Sequence, residues 1–183
     1  HHLDKIQFMI KDNENNNSQF KNLAIAFSGP SMSGKTTLIV KVANILQDAG
    51  NKVCIIKHDP KDKAVFDKAG KDSHKFSETG ADVAVVSATR TTMFRRRQSS
   101  IEQMIHMFGE FDYLLVEGLK TLPLPRISIF RNNLDVTYFK VTNAIASDNT
   151  INDNDIPDNI DKLDLNNPEL IIEWIKKNAK KVR

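Results

Sequence analysis

The chain contains the stretch Gly29-Pro30-Ser31-Met32-Ser33-Gly34-Lys35-Thr36-Thr37, which fits the phosphate-binding loop pattern G-x-x-x-x-G-K-[ST] at every fixed position. The residues just before it, Leu23 to Ser28, are mostly apolar and of strand length. The residues after it place apolar side chains on one helical face, at positions 38, 39, 42, 45, 46 and 49, and Gly50 is the predicted end of that helix. Because strand, loop and helix follow one another as this motif requires, the sequence predicts a nucleotide site.

The residue types of this loop suit a chain of phosphates, which needs donors that approach closely. Gly29 and Gly34 allow the backbone to turn, and the amides from Ser31 to Thr37 are expected to point inward at the positive end of the helix. Lys35 should reach the terminal phosphates, and the hydroxyl of Thr36 should take a Mg²⁺ position. The alternative is a glycine-containing turn that binds nothing, and the register of strand, loop and helix argues against it.

Length and composition predict one globular domain. The chain has 183 residues, of which 40% are hydrophobic and 27% charged, so it can bury one substantial core. We assign this nucleotide-binding domain to residues 22–183. Residues 1–21 are interpreted as the remnant of a purification tag at His1 and His2, a short extension and a polar linker.

Charge, cysteine content and hydropathy limit the classes of function. The formal net charge of +3 arises from 26 basic and 23 acidic residues without a long basic stripe, so no nucleic-acid partner is expected. The one cysteine, Cys54, lies inside an apolar run and favours a reducing, cytoplasmic setting. No apolar stretch approaches the roughly 20 residues of a membrane span, so no membrane association is expected.

A second apolar run, Val53 to His58, completes a parallel strand-helix-strand unit with the first strand and helix. Ligands in such sheets lie beyond the carboxyl ends of the strands, so Lys57, His58 and Asp59 are expected beside the loop. His58 is equally compatible with a structural role. The polar segment from Pro60 to Lys71 is interpreted as a functional loop, followed by a short helix over residues 73–79 that Asp72 caps.

The next segment combines a predicted strand, Asp82 to Ala88, with the basic cluster Arg95-Arg96-Arg97. Three arginines at a strand-to-helix connection are able to hold phosphates, either of the nucleotide or of a second substrate. The alternative is a solvated loop, because consecutive positions do not all face one ligand. A helix with a capping box formed by Ser100 and Gln103 is predicted up to Phe108.

The stretch Tyr113-Leu114-Leu115-Val116-Glu117-Gly118 is an apolar strand that ends in an acid. In nucleotide-binding folds a carboxylate at this place serves Mg²⁺ or the attacking water, so Glu117 is the predicted catalytic and metal-binding acid. Further on, a strand is predicted over residues 126–131, a turn at Asn132-Asn133 and another apolar segment from Val141 to Ser147. The last helix is predicted to start at Asn167, with Leu170 and Trp174 on its core face.

Together these motifs resemble the molybdopterin-guanine dinucleotide biosynthesis protein B family, which are small P-loop GTP-binding proteins. The resemblance spans about residues 23–174. It depends on the loop together with four further stretches, which are Ile56-Lys57-His58, Asp67 with Gly70-Lys71-Asp72-Ser73, Thr79-Gly80-Ala81 and Leu115-Val116-Glu117-Gly118-Leu119-Lys120.

The resemblance implies an α/β fold with a P-loop NTPase-like mixed, mostly parallel sheet flanked by helices. It also implies a homodimer that binds GTP with Mg²⁺, hydrolyses GTP slowly at most, and accompanies the guanylyltransferase of molybdenum cofactor maturation, with molybdopterin as a further possible ligand. Thr36 and Glu117 would serve Mg²⁺. The implied nucleotide-binding residues are Gly29, Ser31, Met32, Ser33, Gly34, Lys35, Thr36, Thr37, Asp67, Lys71 and Asp72. Met32 and Ala69 depart from the usual residues of the family.

Two alternatives to a GTP-binding adaptor stay open at this stage. A small kinase would use Lys35 to hold ATP and the cluster Arg95-Arg96-Arg97 as a phosphate lid over an acceptor. A metal-insertion GTPase would need a His- or Cys-rich tract that the sequence lacks. The N-K-x-D guanine signature is also absent, so guanine preference rests on the resemblance, with Asp148 as the one candidate to read the base.

Overall fold

The computed structural model describes residues 19–183. The predicted tag remnant, the extension and most of the linker lie in residues 1–18, outside the described part. Two compact units are present: the described residues up to His58 together with Glu110–Arg183 form the first, and Asp59–Gly109 form the second. None of the described helices has the length and apolar composition that crossing a membrane requires.

The first unit combines strands with flanking helices, as expected of an α/β fold. Its strands are β1 (Leu23–Ser28), β2 (Val53–Lys57), β5 (Tyr113–Glu117), β6 (Arg126–Phe130), β7 (Ala144–Ser147), β8 (Asp161–Asp164) and β9 (Lys180–Lys181). Its α-helices are α1 (Lys35–Asp48) and α4 (Pro168–Asn178), and two short 3₁₀ helices span Val136–Val141 and Asp153–Asp155.

These strands form one mixed, mostly parallel sheet, as predicted. The hydrogen-bonded order is β2-β5-β1-β6-β7-β8 with all neighbours parallel, and β9 pairs with β1 in the antiparallel direction. β1 lies between β5 and β6, and its residues from Ala24 to Phe27 are fully buried. A strand covered on both edges and both faces reads as a continuous apolar run, which is why β1 was recognisable in the sequence.

The main core lies between one face of this sheet and the helices α1 and α4. It combines Ile25 and Phe27 of β1 with Leu38 and Val42 of α1 and with buried residues of α4. In α4 the prediction was partly wrong: Trp174 is buried, but Leu170 is 54% exposed and Ile172 faces the core instead. A smaller cluster packs around Phe130, Ile145 and Ile156 near the 3₁₀ helices.

The connection after β6 differs from the simple turn predicted at Asn132-Asn133. Asn132 does adopt a left-handed conformation with φ 68°, but the chain then forms the 3₁₀ helix Val136–Val141 before it enters β7. β7 runs parallel to β6, and two adjacent parallel strands need such a crossover because a tight turn reverses the chain.

The second unit consists of α2 (Asp72–Glu78), β3 (Val83–Val86), β4 (Thr91–Phe94) and α3 (Ile101–Phe108). The predicted third strand is therefore a hairpin strand: β3 pairs only with β4, in a separate antiparallel two-stranded sheet. The turn is closed by Ser87, whose hydroxyl accepts hydrogen bonds from the amides of Thr89 and Arg90. We missed β4 because its residues, Thr91 to Phe94, have no clear apolar alternation.

The helices of the second unit confirm one capping prediction and contradict another. Ser100 and Gln103 form the predicted capping box at the start of α3. Asp72 does not cap α2, because the helix already begins at Asp72 and the capping position is Lys71, which makes no side-chain capping bond. An acid in the first turn still suits the positive end of the helix.

Candidate functional site

The phosphate-binding loop follows β1 at the carboxyl edge of the sheet, and its two glycines have conformations that other residues rarely adopt. Gly29 has φ +153°, and a Cβ there would lie 2.7 Å from the carbonyl oxygen of Ile129 on β6. Gly34 has φ +92° and occupies the capping position of α1. A glycine is required at each place, since a side chain would clash at the first and strain the second.

The loop presents donors without internal partners. Helix α1 has no side-chain cap and no acid in its first turn, so its first amides remain available to an anion. Ser33 is buried, and its hydroxyl has no hydrogen-bond partner within the described part of the chain. A buried hydroxyl without a partner is costly, and a phosphate oxygen would satisfy it.

Glu117 lies at the centre of a three-residue charge cluster. Its Oε1 is 3.2 Å from Nζ of Lys35, and its Oε2 is 3.0 Å from Nζ of Lys57. Lys35 also donates to the carbonyl oxygen of Gly29 at 2.9 Å. Burial alone would raise the pKa of the Glu117 carboxyl, but the hydrogen bonds from Lys57 and Lys35 hold that pKa below its ordinary value. Glu117 is therefore a charged carboxylate at neutral pH.

The register of the sheet explains why these side chains meet. β5 lies between β1 and β2, so Glu117 is level with Phe27 on one side and with Lys57 on the other. Directly opposed side chains on neighbouring strands are close enough to interact. Glu117, the last residue of β5, therefore lies at the base of the loop that follows β1.

One cavity of ≈ 480 Å³ gathers most of the predicted site. The chemistry of its lining suits a nucleotide: amides and Lys35 for the phosphates, with the Thr36 hydroxyl and the Glu117 carboxylate as the oxygen ligands that Mg²⁺ prefers. Mg²⁺ is usually bound by one or two such groups together with substrate phosphates, so this pair is a sufficient protein contribution. The lining residues are Pro30, Ser31, Met32, Ser33, Gly34, Lys35, Thr36, Thr37, Lys57, Glu117 and Arg131.

Met32 is a predicted loop residue with a highly exposed side chain. It has φ 63° and its side chain is 96% exposed at the tip of the loop. Whatever Met32 contributes to a phosphate site therefore comes from its backbone. Its departure from the usual family residue costs little packing, because the side chain contacts mainly solvent.

Three further predicted residues, Asp67, Lys71 and Asp72, belong to the second unit. Asp67 accepts a hydrogen bond from the hydroxyl of Ser73 at 3.0 Å, and its other carboxylate oxygen is buried without a partner in the described part of the chain. This contact fixes the segment just before α2. That these three residues line the nucleotide site stays a prediction.

The arginine cluster at residues 95–97 is engaged within the second unit. Arg95 and Arg97 pair with Asp82, and Arg96 binds Glu78 and the carbonyl oxygen of Ser77. The Arg96 contacts join the end of the hairpin to α2, and those of Arg95 and Arg97 join it to the segment before β3. They favour the structural interpretation of the cluster over a phosphate lid, since each guanidinium already has an anionic partner.

Two arginines near the loop were not singled out from the sequence. Arg126, the first residue of β6, is completely buried and donates to the hydroxyl of Ser28 and to the carbonyl oxygens of Gly118 and Leu119, each at 2.7 Å. Burial lowers the pKa of its guanidinium, which nevertheless stays charged. Arg131 lines the cavity itself. The available signal was that both flank an apolar strand that ends at the loop edge.

Comparison with known families gives a consistent result. A family model described as molybdopterin guanine dinucleotide synthesis protein B matches residues 24–148. The Escherichia coli molybdopterin-guanine dinucleotide biosynthesis adapter protein is 29% identical over 171 residues, which cover 84% of this chain and 93% of that protein. A relative from Methanocaldococcus jannaschii is 32% identical over 106 residues, which cover 55% of this chain and only 44% of that protein.

The fold is also similar to that of a solved structure. The crystal structure of Bacillus subtilis MobB superimposes with a TM-score of 0.69 at 22% sequence identity, over 87% of this chain and 99% of that one. At this identity the likeness concerns the fold. It agrees with the mostly parallel sheet and the loop after β1 described above.

Proposed function

Because this chain belongs to the molybdopterin guanine dinucleotide synthesis protein B family, we propose that it is a cytoplasmic GTP-binding adaptor in the biosynthesis of molybdopterin guanine dinucleotide. In this proposal it binds GTP with Mg²⁺, hydrolyses GTP slowly, and works beside the guanylyltransferase that builds the dinucleotide. The E. coli relative is named as an adapter protein of the same pathway, which supports the role.

The observation that carries the proposal is the cavity around the loop. It combines the uncapped start of α1, the buried hydroxyl of Ser33 without a partner, and the cluster of Glu117 with two lysines. Binding of Mg²⁺ and a triphosphate would give each of these groups an opposite charge or a hydrogen-bond partner. In particular, Lys35 and Lys57 would exchange Glu117 for phosphate oxygens, while Glu117 turns to the cation.

Slow hydrolysis follows from what surrounds Glu117. Fast hydrolysis needs a residue that orients the attacking water, and Glu117 would be engaged with Mg²⁺ in this proposal. The other polar side chains of the cavity are loop hydroxyls and cations. We expect turnover in the range of intrinsic GTPases, roughly 10⁻⁴ to 10⁻² s⁻¹. Turnover of many per second by the isolated protein would contradict the adaptor role.

The direct test is a calorimetric titration with GTP and with ATP, each with and without Mg²⁺. Lys35→Ala should weaken GTP binding at least about tenfold, because it removes a charge-assisted contact to the phosphates. Lys177→Ala is the control, since Lys177 is an exposed lysine of α4 that does not line this cavity. A folded Lys35→Ala variant with unchanged GTP affinity would refute the phosphate site. ATP binding coupled to phosphoryl transfer would support the kinase alternative.

The homodimer of this proposal is supported by the second unit. None of its described hydrophobic side chains is fully buried, and Phe66, Val86 and Met93 are strongly exposed. Among the described residues, no strand pairs with the outer edges of the two-stranded sheet β3-β4, and a two-stranded hairpin is marginal without further packing. A second copy of the chain would cover the same apolar surface on both partners, as a twofold interface requires.

Light scattering after size exclusion tests this dimer. We expect the wild type to be dimeric at micromolar concentration and Val86→Asp to be monomeric, because a buried unpaired carboxylate destabilises an interface. Val136→Asp is the control, since Val136 is an equally exposed valine in the first unit. A monomeric wild type, or equal effects of the two substitutions, would contradict this interface.

A further inference from the structure

The phosphate-binding loop has a basic residue on the side opposite to Glu117. β1 lies between β5 and β6, so the residues after these two strands reach the loop from opposite sides. Ser28 of β1 pairs with Ser128 of β6, and Arg131 follows just after β6 ends at Phe130. Glu117 ends β5 on the other side. The sheet order therefore places an acid at one side of the loop and an arginine at the other.

Arg131 lies directly against the start of α1. A Cβ built on Gly34 would be 3.5 Å from Cδ and 3.7 Å from Nη1 of Arg131. A guanidinium at this place faces the positive end of the helix dipole and lies in the same cavity as Lys35. Two cations that line one cavity at a helix N-terminus attract an anion to the space between them, so this arrangement suits a polyanion.

An ion pair and a small hydrogen-bond network hold Arg131 in place. Its Nε lies 3.4 Å from Oδ2 of Asp148, which follows β7. The other oxygen of Asp148 accepts hydrogen bonds from the amide and the hydroxyl of Thr150, and that hydroxyl accepts one from the amide of Asn132. The Arg131 side chain is 49% exposed, so its outer nitrogens remain accessible to a ligand.

Arg131 also connects two cavities. It lines the ≈ 480 Å³ cavity around the loop and a neighbouring cavity of ≈ 230 Å³ that contains Thr37, Lys41, Asp148 and Asn166. This second cavity lies on the β6 and β7 side, whereas in the function proposed above Lys35 would bind the terminal phosphate and Glu117 would bind Mg²⁺. A nucleotide that spans both cavities would direct its nucleoside half toward Asp148.

We propose that Arg131 is a nucleotide-binding residue that contacts the phosphates nearest the nucleoside, so that its loss weakens the binding of GTP and GDP equally. The proposal rests on the nucleotide function proposed above and adds a residue to it. It concerns binding: Arg131 lies on the flank away from Glu117, so it does not neutralise charge at the terminal phosphate, and slow hydrolysis is retained.

The test compares Arg131→Gln, Arg131→Lys and Lys177→Gln in titrations with GTP and GDP. We expect Arg131→Gln to weaken both nucleotides about 10- to 100-fold, the range for a lost charge-assisted hydrogen bond. Arg131→Lys should recover part of the affinity. Lys177→Gln removes one positive charge from the exposed face of α4, outside both cavities, and should change affinity by less than about threefold. Unfolding followed by the fluorescence of Trp174 verifies that each variant is folded.

The possible outcomes separate the role of Arg131 from the nucleotide-binding function on which it rests. Equal, small effects of Arg131→Gln and Lys177→Gln would overturn the role of Arg131 and leave the nucleotide function standing. A loss confined to GTP would also overturn it, because the contact would then be to the terminal phosphate. A wild-type protein that binds neither nucleotide would overturn both.

Discussion

The substitution Arg126→Met should destabilise the first unit strongly, although it removes a buried charge. Arg126 is fully buried and makes three hydrogen bonds, to Ser28, Gly118 and Leu119. No carboxylate lies within ion-pairing distance of it in the part of the chain that the structure describes. Its charge is therefore balanced by neutral oxygens alone, and methionine would leave these acceptors without their donor.

The magnitude follows from these three contacts. A hydrogen bond from a charged group contributes about 1.5–3 kcal/mol to stability, so three of them amount to about 4.5–9 kcal/mol. Methionine also relieves the desolvation of the guanidinium, an opposing effect of several kcal/mol. The net loss in free energy of unfolding should be about 2–5 kcal/mol. Arg126→Lys keeps the charge and one or two of the contacts, so it should lose about half as much.

Urea unfolding followed by tryptophan fluorescence is the appropriate assay. Trp174 is the only tryptophan of the chain and packs in the main core, so its signal reports on the first unit. Arg131→Met is the matched control, because Arg131 is half exposed and its ion pair should be worth no more than about 1 kcal/mol. If Arg126→Met costs no more than this control, the buried hydrogen bonds of Arg126 do not support the fold.

Three other predictions concern the site and the second unit. Glu117→Gln keeps the side-chain volume and removes the charge, so Mg²⁺-dependent GTP binding should fall while binding measured in EDTA survives; an equal response of both would make Glu117 structural. The folded-state pKa of Glu117 is lowered, so its charge stabilises the protein above the unfolded pKa, and this stabilisation is lost as pH falls through the folded pKa. The difference in free energy of unfolding between wild type and Glu117→Gln, measured in EDTA, should therefore shrink between pH 7 and pH values below about 4. Ser100→Ala removes the capping box of α3 and should destabilise that helix by about 1 kcal/mol, seen as faster amide exchange in residues 101–108 with unchanged exchange in α4.

Much of the first unit could be predicted because its signals are local. The loop motif, the buried run of β1 and the capping residue Asn167 each act within a few neighbours, and the structure agrees with all three. Glu117 was placed correctly for the same reason, as the acid that ends an apolar strand. Residues such as Leu170 were misassigned because the orientation of a helix depends on what packs against it.

The parts that sequence did not predict depend on contacts between distant positions. Arg126 and Arg131 lie near the loop because β6 pairs with β1, and no local sequence pattern predicts that pairing. The pairing of Lys57 with Glu117 likewise requires β2 and β5 to be neighbours. The sequence predicted β3 as a third strand without a hairpin partner. In the structure a turn from Ser87 to Arg90 follows β3, and β3 pairs with the next strand, β4.

The short strand β9 has a consequence for the order in which the sheet forms. β1 pairs with β6 through Ala26 to Ser28, whereas its first residues, Leu23 and Ala24, pair with Lys181 and Lys180. The amide of Val182 also donates to the carbonyl oxygen of Asn22 at 2.9 Å. On the ribosome, the strand that carries the phosphate loop is made before residues 180–182 and completes its hydrogen bonding only after they have left the exit tunnel. The sheet therefore closes by a contact between positions far apart in the chain, which is a slow kind of folding step.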